Sequence, residues 1–247
     1  MSLILMDARE RAGSADAIDG ALAAADPAPG LAITPRPEAY GLSESRRERR
    51  FLGDDAFVEL GTAIATGALS DGDLIRDRDL AAQMGVSRTP VREAILQLQH
   101  IGLVEVLPSR RTHVTPLTHE IADDCRRWAG YCGGIAARQA VGRLTAADVE
   151  NADVRIDALL ETLGSPAEAA ASALELLLFF SARAGSPILH SEISERQFSL
   201  LRALRRISYA PNEIEDARTG CRDLADALVH RDGNQAETAM RTIFGIS

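Results

Sequence analysis

Residues 80–106 constrain the fold more than any other part of the chain, because their pattern predicts a helix, a tight turn, a second helix and the start of a hairpin. Residues 80–84 form a short apolar-faced helix, and Gly85 stands where helices commonly end in a left-handed residue. Ser87 is a favourable N-cap for the second helix. Pro90 falls in that helix's first turn, where its missing N–H costs no hydrogen bond. The pattern is that of a helix-turn-helix.

The second of these helices has one apolar and one basic side. Its inward side is predicted to consist of Val91, Ala94, Ile95 and Leu98, which recur at helical spacing. Arg88, Thr89 and Arg92 lie on or near the other side, at the helix start. Recognition helices contact bases with their N-terminal residues, and arginine can bond two acceptors of one guanine. Two packed helices without DNA would also fit the periodicity alone.

The segment GVSRTPVREA, residues 85–94, closely resembles the signature of GntR-type winged-helix regulators. The resemblance extends over about residues 55–115, with an opening helix at Phe57–Ile64 and two wing strands at Leu103–Leu107 and Thr112–Thr115. It implies a dimeric, sequence-specific transcription factor, most often a repressor, whose partner is a double-stranded DNA operator. A dimer fits physically, because one winged helix contacts few base pairs and two half-sites multiply specificity.

The resemblance also assigns the DNA contacts residue by residue. Arg88 and Arg92 are expected to contact bases, and Arg78, Ser87 and Thr89 to contact phosphates or base edges near the helix start. The wing tip is expected to contribute Arg110 and Arg111, where related sequences usually have Arg-Gly. The second arginine adds a potential phosphate or minor-groove contact.

Composition limits the class of protein. Hydrophobic residues make up 46% of the 247 residues and aromatic residues only 4%, which favours a mostly α protein. Neither a membrane-spanning apolar run nor a secretory signal is visible. The three cysteines lack metal-type spacing, so we expect a reduced, cytoplasmic protein. The net charge of −9 limits non-specific adhesion to DNA, which depends on phosphate neutralisation.

The chain is predicted to divide into a flexible tail (1–52), a winged helix-turn-helix domain (53–116) and an all-helical bundle of about six helices (117–247). The basic cluster at 45–50 is either a solvated helix start or a phosphate-contacting arm. One bundle helix is expected over Ile188–Ser208, and another to begin at the N-cap Thr145. The first bundle helix is predicted to pack through an apolar stripe that comprises Ile121, Cys125, Trp128, Cys132, Ile135 and Ala136.

The bundle resembles the FadR-like effector domain, called FCD, of the same regulators. Many members hold a divalent metal through one Asp and three His. Aligned on this chain, those ligand positions fall on Ala173, Leu177, Cys221 and Ile243. Alanine, leucine and isoleucine cannot bind zinc or nickel, and the five histidines lack partners at ligand spacing. We therefore predict no metal and no other cofactor.

Two alternatives remain for this region of the bundle. It binds an apolar or acyl-type effector without metal, near Leu177 and Cys221, or it has closed into ordinary core and the bundle only dimerises or docks a protein. Arg126, where related proteins often have a pocket arginine, would pair with an anionic effector. An enzyme is not expected, because no phosphate loop, nucleophile elbow or catalytic His/carboxylate set is present.

Overall fold

The computed structural model describes residues 44–107 and 111–246, with the side chains of 44–52 left out of the description. The described residues divide at Leu117 into two compact units, an N-terminal unit of mixed structure and a C-terminal helical unit. Together they contain ten helices and one small sheet, so the chain is mostly α, as predicted. The tail at 1–43 and Arg110 lie outside the described residues, and of the cluster at 45–50 only the helical backbone is described.

The N-terminal unit is a three-helix arrangement with a wing. Its elements are α1 (Glu44–Ala65), β1 (Leu74–Ile75), α2 (Asp77–Met84), α3 (Arg88–His100), β2 (Val104–Val106) and β3 (Thr112–Val114). The strands pair antiparallel in the order β1-β3-β2. The two predicted wing strands are confirmed, while β1 adds a third strand that pairs through Ile75 and Thr112. Two residues are too few for the alternation that identifies a strand in a sequence.

The turn between α2 and α3 forms as the sequence predicts. Gly85 has φ 67° and is the left-handed end of α2, and the N–H of Val86 donates to the carbonyl of Ala81 at 3.0 Å. Ser87 is the N-cap of α3 by its backbone, although its hydroxyl makes no capping hydrogen bond within the described residues. All four apolar residues predicted to face inward from α3, namely Val91, Ala94, Ile95 and Leu98, are buried. The inward side of α3 is therefore fixed, and its polar side is left exposed.

The described residues of the C-terminal unit form seven helices, against about six predicted. They are α4 (His119–Val141), α5 (Ala146–Thr162), α6 (Pro166–Arg183), α7 (Pro187–Glu195), α8 (Gln197–Arg206), α9 (Pro211–His230) and α10 (Gly233–Ile243). The single helix predicted over Ile188–Ser208 is wrong, because the chain breaks at Arg196 (φ −94°, ψ 5°). Ile193 and Phe198 are both fully buried. Five residues apart, they would point in different directions from one straight helix, and the break allows both to enter the core.

The packed side of α4 also differs from the prediction. Of the predicted stripe only Ala136 is fully buried, while Ile121 and Ile135 are 46% and 41% exposed. Apart from Val141 at its end, the buried residues of α4 are instead all glycine or alanine: Ala122, Ala129, Gly130, Gly133, Gly134, Ala136, Ala137 and Ala140. A Cβ added at Gly134 would lie 3.1 Å from the carbonyl oxygen of Glu237 in α10. Helices that approach this closely exclude large side chains, so the isoleucines lie elsewhere.

The start of α5 confirms the predicted N-cap and adds a partner. Thr145 and Asp148 form a capping box, in which the hydroxyl of Thr145 accepts from the N–H of Asp148 and the carboxylate accepts from the N–H of Thr145. Nε of Arg183 in α6 donates to the same carboxylate at 2.6 Å. Partial burial by itself would raise the pKa of Asp148, but the hydrogen bonds from Arg183 and Thr145 outweigh it and hold that pKa at about 2.

We expect Asp148→Asn to lower the free energy of unfolding at neutral pH by up to about 2 kcal/mol. Because the pKa of Asp148 is lower in the folded than in the unfolded chain, its contribution is complete above about pH 5 and is lost as the pH falls toward 2. Urea unfolding, followed by the fluorescence of the chain's only tryptophan, Trp128, measures this directly. A difference between variant and wild type that stays constant from pH 7 to pH 3 would contradict the assignment.

Candidate functional site

The beginning of α3 presents two arginines on its exposed side. Arg88 is the first residue of the helix and Arg92 lies one turn later; their side chains are 51% and 61% exposed. Ser87 and Thr89 are exposed beside them. Arg78, on the neighbouring helix α2, is exposed as well. The structure thus places five of the seven predicted DNA-contacting residues on α2, the turn and the first turns of α3.

One carboxylate, that of Asp77, binds both α3 arginines. A terminal nitrogen of Arg88 donates to its two oxygens at 3.0 and 2.9 Å, and Nε of Arg92 donates to Oδ2 at 2.7 Å. Partial burial tends to raise the pKa of Asp77, but hydrogen bonds from Arg92 and Arg88 lower it on balance. The carboxylate is therefore ionised at neutral pH.

The geometry leaves part of each guanidinium available. In Arg92 the bond to Asp77 uses Nε. Its two terminal nitrogens have no partner among the described residues and can make a bidentate pair with a guanine edge. Sequence reasoning missed Asp77, because it precedes the two arginines by 11 and 15 residues. Such separations correspond to no local spacing rule, and only the packing of α2 on α3 brings the three side chains together.

The wing provides the remaining predicted contact residues. The N–H of Leu107 donates to the carbonyl of Arg111 at 2.9 Å, which continues the β2–β3 pairing toward the tip. Arg111 is exposed, while its neighbour Arg110 lies outside the described residues. At the base of the wing, Nε2 of His113 is 3.6 Å from the carboxylate of Glu105, and His113 is not among the exposed basic residues.

In the C-terminal unit, the region predicted to hold an effector is nearly filled. A cavity of about 20 Å³ remains there, close to the space of a single water. Its walls are apolar apart from one hydroxyl and consist of Leu159, Leu163, Ala169, Ala170, Ala173, Leu204, Tyr209, Ile214, Ala217, Ile243 and Phe244. Two of the four positions aligned with the family's metal ligands, Ala173 and Ile243, are in this wall.

The predicted effector residues Leu177 and Cys221 are not part of the cavity wall. Both are fully buried in the core of the unit. Burial raises the pKa of the Cys221 thiol to about 12, so the sulfur is protonated and is a poor metal ligand at neutral pH. Among the described residues, no group of three or more His, Cys, Asp or Glu side chains is arranged to hold a metal ion.

Arg126 is bound by its own unit. Its Nε and one terminal nitrogen donate to Oδ1 of Asp123 at 3.0 and 2.6 Å, and the other terminal nitrogen donates to the carbonyls of Phe244 and Gly245 at 2.6 and 3.0 Å. The side chain is 13% exposed. All three nitrogens are therefore engaged, and the guanidinium holds the segment after α10 against α4. An anion would have to displace these partners.

Comparison with known proteins bears on the N-terminal unit first. Residues 52–114 match the family model of bacterial regulatory proteins of the gntR family. An uncharacterized helix-turn-helix transcriptional regulator from Streptomyces ambofaciens is 44% identical over 54 residues, which are 22% of this chain and 23% of that protein. A probable D-xylose utilization operon transcriptional repressor from Paenarthrobacter nicotinovorans is 42% identical over 60 residues, 24% and 25% of the two chains. The chain thus spans about a quarter of the length of these relatives.

A longer similarity is to McbR of Escherichia coli, a helix-turn-helix transcriptional regulator that is 31% identical over 105 residues, 42% of this chain and 46% of McbR. The solved structure of McbR/YncC superposes with a TM-score of 0.65 at 23% identity and covers 78% of this chain and 93% of that one. At that identity the superposition shows a shared fold, which includes the helical C-terminal part. No helix among the described residues is long and apolar enough to cross a membrane.

The family match and the observed geometry coincide on the same residues. The matched segment contains α2, the turn at Gly85, α3 and the wing, and it ends with the last strand at Val114. Residues 52–114 therefore form a GntR-like winged helix-turn-helix domain, followed by a helical C-terminal part.

Proposed function

We propose that this chain is a sequence-specific transcriptional repressor that binds its operator as a homodimer. The observation that carries the proposal is the pair Arg88 and Arg92, exposed at the start of α3 and held by Asp77, within a segment that matches the gntR family. The probable D-xylose operon repressor supports repression as the direction of regulation, because it is 42% identical to this chain over 60 residues. Contact with chromosomal DNA would require the chain to act in the cytoplasm.

In this proposal the exposed residues have distinct roles. Arg92 and Arg88 contact base edges, and Arg78, Ser87 and Thr89 contact phosphates or base edges around the start of α3. Arg111, with Arg110 outside the described residues, contacts the backbone or the minor groove at the wing. We assign the C-terminal unit to the FCD type of the FadR-like subfamily. Its all-helical fold supports that assignment.

Selection from a library of randomised DNA duplexes tests the proposal. The purified chain should enrich a pseudo-palindromic sequence, because two symmetric half-sites mirror the symmetry of a dimer. Its affinity for that duplex should exceed its affinity for unrelated DNA by at least about 1,000-fold at physiological salt. If repeated rounds enrich no sequence, or only a salt-sensitive preference for any DNA, the chain is not a sequence-specific regulator.

Asp77→Ala should reduce specificity rather than simply weaken binding. Without the carboxylate, Arg92 loses the partner that orients it, and affinity for the selected operator should fall by about 3- to 10-fold. Affinity for random DNA should rise, because a negative charge near the phosphates is removed. Titration of both duplexes by fluorescence anisotropy gives the ratio of the two affinities.

The matched control is Asp79→Ala. Asp79 is on the same helix, but its carboxylate lies 3.7 Å from Arg76 rather than near the α3 arginines. Equal changes for both DNAs would contradict a positioning role for Asp77.

A small-molecule effector remains part of the proposal. An effector that binds the C-terminal unit would shift operator affinity only if it favours one state of the dimer over another. In the described conformation the cavity is far smaller than a metabolite, so binding would have to open the core. The apolar wall favours an apolar or acyl-type compound over an anionic one, because Arg126 is already engaged.

The closed core favours a second candidate, in which the C-terminal unit only dimerises or docks a protein partner. Thermal unfolding in the presence of metabolite mixtures separates the two. A sensor gains stability in proportion to the logarithm of ligand concentration above its Kd. A unit that only dimerises should respond to protein concentration and to none of the compounds.

A further inference from the structure

The side of α4 that turns away from α10 carries an unusual apolar row. Ile121, Trp128 and Ile135 follow one another at intervals of seven residues, and Cys125 and Cys132 lie between them. Ile121 and Ile135 are exposed, and Trp128 and the two cysteines are half-buried. We call these five residues the α4 seam. Seven residues make nearly two helical turns, so such a row stays on one side of a helix over its whole length.

We infer that the α4 seam is the surface through which two copies of this chain pair, with the two α4 helices antiparallel and a two-fold axis near Trp128. This inference rests on the proposed homodimer and specifies its interface. Its first support is the symmetry of the row itself. Ile121 and Ile135 are equidistant from Trp128, so an antiparallel pairing places each Ile121 against the partner's Ile135. The surface is then complementary to itself, as an isologous interface must be.

Charge on the edge of the seam supports the same pairing. Glu120 and Arg138 are 18 residues apart, about five turns, and therefore lie along one edge of α4 at opposite ends. Both are exposed, and Arg138 remains 58% exposed although it is bonded to Glu237 at 3.0 Å. A two-fold axis perpendicular to both helices keeps this edge on the same side in each copy. Glu120 of one copy therefore lies near the partner's Arg138, and the two opposite charges attract.

The rim of the seam has the composition of a protein interface. The guanidinium of Arg196 lies 5.8 Å from the ring centre of Trp128, and that of Arg241 lies 5.3 Å from the ring of Tyr131, which is 47% exposed next to the seam. Aromatic and arginine side chains are enriched at such surfaces, and aromatic–arginine groups frequently dominate their energetics. The other exposed apolar residues of the unit, such as Val154 and Val229, are single residues on other helices.

Substitutions in the seam test the inference by oligomeric state, measured by sedimentation equilibrium without DNA. Wild type should be a dimer. Ile121→Glu and Ile135→Glu should each raise the dimer Kd by about 100-fold or more, because each substitution is present in both copies and buries two carboxylates in the interface. Val154→Glu, the same apolar-to-charged change at a 66% exposed valine on α5, should remain dimeric. A monomeric wild type, seam variants that stay dimeric, or equal loss in the control would each overturn the inference.

A second variant tests the register and does not depend on weakening the fold. In a Cys125→Ser, Cys132→Ser background, Trp128→Cys places a thiol close to the two-fold axis in both copies. Mild oxidation should then link most chains into disulfide dimers, whereas Val154→Cys in the same background should give none. Absence of the Trp128→Cys cross-link in a dimeric protein would overturn the antiparallel register. Because neither assay contains DNA, a negative result here is separate from failure of the operator selection.

Discussion

Replacement of Arg92 by alanine is expected to weaken binding to the selected operator by about 1–3 kcal/mol, roughly 10- to 100-fold, and to relax the preference at one base pair in each half-site. The reason is geometric. Arg92 is exposed one turn into α3, and its bond to Asp77 through Nε leaves both terminal nitrogens for a guanine edge. Anisotropy titrations with the operator and with single-base variants of it measure both effects.

Arg111→Ala is the comparison that separates base contact from simple loss of charge. Both substitutions remove one positive charge from an exposed position of the N-terminal unit. The wing variant should weaken binding to all duplexes alike and reduce the slope of affinity against salt by about one ion. If Arg92→Ala behaves in the same uniform way, Arg92 is a phosphate contact. If operator binding is unchanged, the assignment of α3 as the recognition helix fails.

Phe180→Ala is expected to lower the free energy of unfolding of the C-terminal unit by about 3–5 kcal/mol, the range for aromatic residues removed from a well-packed core. Phe180 is fully buried in α6, and its ring contacts that of Phe179 edge to face at 5.3 Å. Urea unfolding followed by Trp128 fluorescence reports on this unit alone, since the chain has a single tryptophan.

The control for Phe180 is Ile188→Ala, which removes an apolar side chain that is 77% exposed in α7. Its effect should stay within about 0.5 kcal/mol of wild type. Comparable losses for both variants would mean that Phe180 is no more buried in solution than a surface residue. A loss of only about 1 kcal/mol for Phe180→Ala would indicate that the core collapses into the space, and would argue that this unit can rearrange around a ligand.

The helix-turn-helix was predictable from the sequence because its determinants are local. Gly85 ends one helix, Ser87 begins the next, and the apolar residues of α3 follow a 3.6-residue period, so few interpretations fit. The same holds for Thr145, whose N-cap role depends only on a residue three positions later. These features are fixed by interactions within one or two turns of chain.

The sequence was a poor guide where contacts between distant parts of the chain determine which residues are buried or paired. The packed side of α4 was predicted from its largest apolar residues, but α10 approaches so closely that only glycine and alanine fit, and Ile121 and Ile135 remain outside. Arg126 was predicted to pair with an anionic effector, and nothing in the sequence indicated that it also donates to carbonyls 118 and 119 residues away. The role of Asp77 was not predicted for the same reason, because its partners Arg88 and Arg92 are 11 and 15 residues away. The periodicity of a helix can be predicted from a single sequence, but which other helix it packs against cannot.

The glycine-lined contact between α4 and α10 also determines where this unit can change its interior during evolution. A cavity forms when a side chain becomes shorter, and Gly130, Gly133 and Gly134 have no side chain to shorten. An added Cβ at Gly134 would press on α10 at Glu237, and one at Gly130 would meet Phe244 and Ile246, just after α10, at under 3 Å. New internal space is therefore more readily made in the wall of the existing cavity, for example by shortening Leu159 in α5 or Leu204 in α8. Variants of this sequence with a roomier interior are therefore expected to differ at the cavity wall rather than at the glycines of α4.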